Sequence, residues 1–254
     1  MSEQMDYFKD FTEQMTNTSL GELHSLRHRG TGPKLLLLHG LGGNTKVWNR
    51  FVGFLPDDYD VALLDLLGHG GSAAPEIDYE TGTQAKVLAE FIESIQYEDA
   101  FIMGHSYGGW VSAYYSMDHS PKGLILEDSA GLKDQFDEIR ATANEMEYRE
   151  NMISELLRIN NNKEYVMRSI AGMNMERNHL THEMLGRIRV PTLIIWGAQD
   201  RTIGRKFAEV FRENIRGSEL KVVEGAGHNG HFSRAKDVAG AVIAFVSTHV
   251  HANH

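Results

Sequence analysis

Apolar residues fall along this chain in two alternating patterns. Short runs such as residues 35–38 (LLLL), 100–103 and 124–126 are separated by stretches in which apolar positions recur every three or four residues. Unbroken runs of that length suit strands buried on both faces, as in a parallel sheet. The recurring positions, for example Val87, Leu88, Phe91, Ile92 and Ile95, lie on one side of a helix. Strands are predicted over 20–28, 35–38, 59–66, 100–103, 124–126, 189–197 and 220–223, and helices over 47–55, 83–95, 110–117, 205–215 and 233–248. Met5, Phe8, Phe11 and Met15 share one face of a predicted N-terminal helix that docks on its own domain.

Between residues 133 and 186 this alternation lapses. The segment is helical and charged, is interrupted by Asn160-Asn161-Asn162, and holds six of the 11 methionines. It reads as an insertion rather than another strand–helix unit. The predicted order is βαβαβ, insertion, βαβα, which gives an α/β fold with a mainly parallel central sheet and helices on both faces. Three segments follow: a core over 1–132, an inserted helical part over 133–186, and the rest of the core over 187–254.

At 254 residues, with 41% hydrophobic and 24% charged content, the chain can bury a full core. A net charge of −10, with no stripe of Lys and Arg, argues against nucleic acid as a partner. The absence of cysteine removes disulfides and a thiol nucleophile. The N-terminus lacks an apolar signal region, and no run approaches the ~18 apolar residues of a membrane span, so a cytoplasmic protein is expected.

Candidate chemistry gathers where predicted strands end, which is where open α/β sheets bind ligands. Gly104-His105-Ser106-Tyr107-Gly108 places a serine between two glycines at a strand-to-helix turn. Such a turn needs small residues on both sides and pushes the hydroxyl outward. Taken alone, the spacing also fits an ordinary turn. Asp200 follows the strand over 189–197, and His228 follows the one over 220–223. His39-Gly40-Leu41-Gly42-Gly43 forms a glycine-rich turn after residues 35–38, without the G-x-x-x-x-G-K-[ST] spacing of a nucleotide phosphate loop.

The order serine, acid, histidine, together with the HG-x-G-G turn, resembles the α/β-hydrolase superfamily over about residues 20–248. The resemblance implies Ser106 as nucleophile, His228 as general base, Asp200 as the acid that orients it, and the backbone N–H groups of Leu41 and Tyr107 as oxyanion donors. Asp128 is the alternative acid and His231 the alternative histidine. Asp65, His69 and His39 are assigned to structural turns. Gly204 stands where the family often has proline, and Ser233-Arg234-Ala235 where it often has Glu-x-Pro. The serine nucleophile points away from the dehalogenase and epoxide-hydrolase branches, whose nucleophile is aspartate.

Residues 133–186 resemble the family's cap, with Met146, Met152, Met173 and His231 expected to line a substrate site. The activity implied is hydrolysis of small-to-medium carboxylic esters through an acyl-enzyme by a carboxylesterase-like enzyme, with a small-molecule ester as partner. Alternatives are an aminopeptidase of the proline iminopeptidase type using Glu145, Glu147 and Glu150, a carbon–carbon bond hydrolase, and a receptor without turnover. No cofactor or metal is expected; His179, His182, His249, His251 and His254 read as surface histidines, because no cysteine accompanies their spacing.

Overall fold

The computed structural model describes residues 7–160 and 162–251. Strands β1 (Thr12–Thr18), β2 (Gly21–His28), β3 (Lys34–Leu38), β4 (Asp60–Leu64), β5 (Phe101–His105), β6 (Gly123–Glu127), β7 (Thr192–Gly197) and β8 (Glu219–Val223) form one eight-stranded sheet in the order β1-β2-β4-β3-β5-β6-β7-β8. Pairings from β4 through β8 are parallel, whereas β1 and β2 pair antiparallel at one edge.

Helices cover both faces. A 3-10 turn over Thr45–Trp48 leads into α1 (Asn49–Val52), followed by α2 (Thr81–Ile95) and α3 (Tyr107–Tyr115). Between β6 and β7 come α4 (Lys133–Thr142), α5 (Glu145–Arg158), α6 (Glu164–Glu176) and α7 (His182–Leu185), and the chain closes with α8 (Lys206–Asn214), α9 (Gly230–Ser233) and α10 (Ala235–His249).

The unbroken apolar runs are explained by the two layers. Leu36, Leu38 and Ile102 enter a core shared with Phe91 and Ile92 of α2 and Phe211 of α8. Their neighbours Leu35, Leu37, Phe101 and Met103 face the opposite core, with Phe51 of α1 and Val242 and Phe245 of α10. Successive strand side chains point to opposite faces, so a strand covered on both sides must be apolar at every position.

Sheet order also locates the site. The chain leaves β3 for β4 on one side, then returns past it to β5 on the other. That reversal opens a crevice at the strands' carboxyl ends, between the turn after β3 and the turn after β5. The inserted helices sit against this end: Leu156, Val166, Met167 and Ile170 join the same core as the α2 face of the sheet. Trp110 Nε1 donates to Asn178 O (3.1 Å), and the Tyr165 hydroxyl donates to Ala74 O.

Three local expectations change. The predicted N-terminal helix is instead a turn followed by β1, whose seven residues pair with β2 from Thr12 opposite Arg27 to Thr18 opposite Gly21. Threonines stiff at χ1, with a partner strand one turn away, favour extended chain over a helix resting on four spaced apolar residues. Phe8 and Phe11 still pack edge to face with centroids 5.4 Å apart, while Met5 lies outside the described residues. The helix expected over 47–55 is two short pieces, and a further short helix, α9, precedes the last one.

Candidate active site

Ser106 occupies a backbone conformation that side chains rarely adopt, with φ 50° and ψ −112°. Such strain costs on the order of 1–3 kcal/mol and persists only where surroundings enforce it. Here they do. A Cβ on Gly104 would run into the backbone at Gly108, and one on Gly108 would lie 2.5 Å from Leu38 O and 2.6 Å from His39 O. Ser106 N–H donates to Glu127 O (2.9 Å), and its carbonyl accepts from Trp110 N and Ala130 N. The hydroxyl is thereby directed toward the loop after β8.

That loop carries His228. Ser106 Oγ lies 3.0 Å from His228 Nε2, and His228 Nδ1 lies 3.2 Å from Asp200 Oδ2. With Nδ1–H donating to the carboxylate, Nε2 is left to accept the serine proton; this tautomer is assigned from the network. The other carboxylate oxygen accepts from Thr202 N (2.8 Å) and Ile203 N (3.2 Å), so the plane of Asp200 is held by its own loop. Burial alone would raise the Asp200 carboxyl, but the His228 bond and charge and the two backbone donors outweigh it and hold the group below its ordinary value. The loops after β7 and β8 lie side by side, because a Cβ on Gly197 would strike Gly227 O.

Beside Ser106 lies the glycine turn after β3. Gly43 N–H donates to Gly40 O (2.9 Å), and Gly42 between them has φ 71°, which glycine adopts without strain. His39 Nδ1–H also donates to Gly40 O (2.7 Å), while its Nε2 accepts from Leu66 N (3.1 Å). Burial lowers the basicity of His39, so the ring is neutral and can play both roles. In a trans peptide the N–H points opposite the carbonyl, so the two donors to Gly40 O also aim the Leu41 N–H. A Cβ on Gly40 would be 3.3 Å from Ser106 Cβ, which puts this peptide against the serine. Tyr107 is the first residue of α3, so its N–H lies in the turn where a helix favours negative charge.

Other expected residues fall elsewhere. Asp128, also strained with φ 44°, gives one oxygen to Gly197 N (2.8 Å) and leaves the other without a partner among the described residues. Burial, then the adjacent Glu127 charge, pushes this carboxyl up to about 9, and the acid bonded to His228 is Asp200. His231 was expected to line the site but is only 2% exposed. Its Nδ1 pairs with Glu127 (2.9 Å) and its ring packs on Trp48 and His105, so it braces the core behind the serine. Met146 is 67% exposed, which is not the setting of an apolar wall, and Met152 rests half-buried on the core. The Met173 side chain lies outside the described residues.

Of the acids weighed for amine binding, Glu145 pairs with Arg140 and Glu150 with Arg168, both on the surface. His179 stacks on Phe136, and His182 pairs with Asp134. Sequence reasoning missed His105, whose Nε2–H donates to His228 O (2.7 Å). Burial, with His231 and His228 alongside, holds His105 well below its ordinary basicity, so a neutral ring supports the His228 loop. Its one sequence signal is adjacency to Ser106; the partner is 123 residues away.

A parallel sheet with an antiparallel edge, a strained serine at the turn after its fifth strand and helices inserted after its sixth is the architecture of the α/β hydrolases. The family model described as the alpha/beta hydrolase family matches residues 35–241, and the chain belongs to that family. Among curated proteins it is 28% identical to monoacylglycerol lipase abhd6-B of Xenopus laevis, over 86% of this chain and 77% of the relative. It is 26% identical to monoacylglycerol lipase ABHD6 of Mus musculus, over 89% and 79%. A membrane phospholipase A described as a bacterial virulence factor superposes with a TM-score of 0.78 at 26% identity, over 96% of this chain and 88% of that one. A putative lipase of Acinetobacter baumannii shares the fold with a TM-score of 0.80 at 23% identity, over 95% and 92%.

Proposed function

We propose that this hydrolase cleaves carboxylic esters through an acyl-enzyme, with Ser106 as nucleophile, His228 as general base and Asp200 orienting the imidazole. The observation that carries this reading is the line of hydrogen bonds from Ser106 Oγ to His228 Nε2 (3.0 Å) and from His228 Nδ1 to Asp200 (3.2 Å). A serine hydroxyl is a weak nucleophile at neutral pH, and an imidazole that takes its proton removes that obstacle. Ser106 Oγ bonds to the ester carbonyl carbon while its proton passes to His228 Nε2. The resulting imidazolium is stabilised by the Asp200 carboxylate.

The negative charge that develops on the carbonyl oxygen is received by the N–H groups of Leu41 and Tyr107. Donors fixed before the reaction need no reorganisation as charge develops, which is what lowers the barrier. His228 then protonates the alcohol oxygen as the C–O bond breaks, leaving the acyl group on Ser106. Water attacks the acyl carbon as His228 takes its proton, the bond from that carbon to Ser106 Oγ breaks as the proton is returned to Oγ, and the carboxylic acid leaves. Residues 133–186 act as a cap that excludes bulk water over this chemistry. The names of the relatives favour monoacyl esters with a small alcohol as the substrate class.

A panel of p-nitrophenyl esters from acetate to octanoate, with 1-monooleoylglycerol, tests the reading. Ser106→Ala should lower kcat by roughly 10⁴–10⁶-fold, the scale on which a triad serine acts. A fluorophosphonate probe should label Ser106 alone. Undiminished turnover in the alanine variant would remove Ser106 from the mechanism.

A further inference from the structure

The inserted helices touch the chemistry at one place that neither the motif nor the mechanism accounts for. Where α5 ends, Asn160 Nδ2 donates to Gly42 O (2.8 Å), and Asn162 Nδ2 donates to the same carbonyl (3.0 Å). Leu156 of α5 packs on the same residue: a Cβ on Gly42 would lie 2.6 Å from Leu156 Cδ2. Two side-chain amides more than a hundred residues away thus converge on one backbone carbonyl of the glycine turn.

That carbonyl begins a chain of hydrogen-bonded peptides. Gly42 C=O shares its peptide unit with Gly43 N–H, which donates to Gly40 O (2.9 Å). Gly40 C=O in turn shares its peptide unit with Leu41 N–H. A donor on the first carbonyl therefore pins both peptide planes, and each bond polarises the next unit so that its N–H becomes a better donor. With glycine at positions 40, 42 and 43, the turn has little stiffness of its own.

We propose that Asn160 and Asn162 are positioning residues for the oxyanion donor: reaching down from the inserted helices, they hold and polarise the 40–43 turn through Gly42 O. The inference rests on the proposed role of Leu41 N–H. Its consequence is that the inserted helices tune kcat through the backbone, in addition to any contact with substrate.

Asn160 offers a clean variant. Its φ is 57°, so Asn160→Gly deletes the amide while keeping a conformation that glycine adopts freely. Asn160→Asp keeps the shape and places an acceptor where the donor was. Asn162 also donates to Leu156 O and Ile159 O at the end of α5, so Asn162→Ala is read only in combination with Asn160→Gly.

With p-nitrophenyl acetate, too short to contact much of the inserted helices, Asn160→Gly and Asn160→Asp should lower kcat by about 10-fold with KM within twofold. This is less than the roughly 10²–10³-fold loss when an oxyanion donor is removed outright. The double variant should lose more. A trifluoromethyl ketone, which places an oxyanion in the turn when Ser106 adds to it, should weaken in parallel with kcat/KM.

If these variants keep wild-type kcat and ketone affinity while KM or thermal stability changes, the asparagines only anchor the helices and the inference is overturned. If the wild-type protein itself binds no ketone, or Ser106→Ala retains turnover, the underlying esterase reading fails instead. Should Asn160→Gly fold poorly by circular dichroism, the nearly isosteric Asn160→Asp carries the same test.

Discussion

Replacing Asp200 with asparagine tells apart the two acids that stand near His228. Asp200 accepts two backbone N–H bonds on one oxygen, from Thr202 and Ile203, and the imidazole N–H on the other. In Asp200→Asn the pair of backbone donors must face the remaining oxygen, because the alternative points an NH2 at two N–H groups. The NH2 is then turned toward His228 Nδ1, which becomes an acceptor, and the ring proton moves to Nε2. That tautomer presents a donor to Ser106 and cannot take its proton.

The expected loss in kcat is about 10⁴-fold, the scale known for this exchange in a serine triad, equivalent to ~5.5 kcal/mol of barrier. Asp128→Asn provides the comparison, since it preserves the acceptor to Gly197 N and touches neither nitrogen of His228. Initial rates on p-nitrophenyl butyrate at pH 8 decide between them. If Asp200→Asn stays within 10-fold of wild type, on the ~1.4 kcal/mol scale of one decade, while Asp128→Asn collapses, the acid has been misassigned.

Stability offers further checks. Asp128 is held up to about 9 when folded, above its unfolded value of 3.8, so it costs stability increasingly as pH rises between the two. Asp128→Asn should therefore raise the urea midpoint more at pH 8 than at pH 5; an unchanged difference would count against a neutral buried acid. Gly108→Ala should destabilise by roughly 1–3 kcal/mol and abolish fluorophosphonate labelling, because its Cβ meets backbone carbonyls that cannot rotate away. Gly240→Ala, inside α10 with nothing within 4 Å of the new Cβ, should instead stabilise by about 1 kcal/mol. Thermal melts of both tell the two apart.

Acid should also weaken the fold through its buried histidines. His39, His69 and His105 are lowered by burial when folded, His69 to about 3, whereas unfolded histidine takes up protons near 6.5. Stability is thus full above the unfolded value and falls as pH drops below it, by up to ~1.4 kcal/mol per pH unit for each ring until its folded value is reached. His24, raised by its bond to Asp65, and Asp128, held up by burial and so neutral across this range, pull the other way. In Asp128→Asn, which removes that opposing acid, a urea midpoint unchanged from pH 7.5 to pH 5 would contradict the neutral, buried state of the three rings.

The parallel sheet was legible because local rules govern it: residues 35–38 are apolar at every position, since each faces one or the other helical layer. The serine turn was legible in part for the same kind of reason: Gly104 answers a clash with the backbone at Gly108, whereas Gly108 answers one with Leu38 and His39 at the end of the neighbouring strand. Distance along the chain marks where that legibility ends. Asp128 and Asp200 both follow strands and look alike in sequence, and which one meets His228 depends on how the β7 and β8 loops abut. The N-terminal segment carried helical spacing, yet a neighbouring strand supplied the hydrogen bonds that made it β1.

His231, three residues from His228, was drawn inward by Glu127 and Trp48, and Asn160 and Asn162 became partners of Gly42 only through the packing of the inserted helices. Patterns of apolarity, and sterics such as that between Gly104 and Gly108, act between near neighbours and are therefore written along the chain. The pairing of an acid with its base, or of an amide with a distant carbonyl, is a contact between remote segments, and it exists only once the sheet has set those segments side by side.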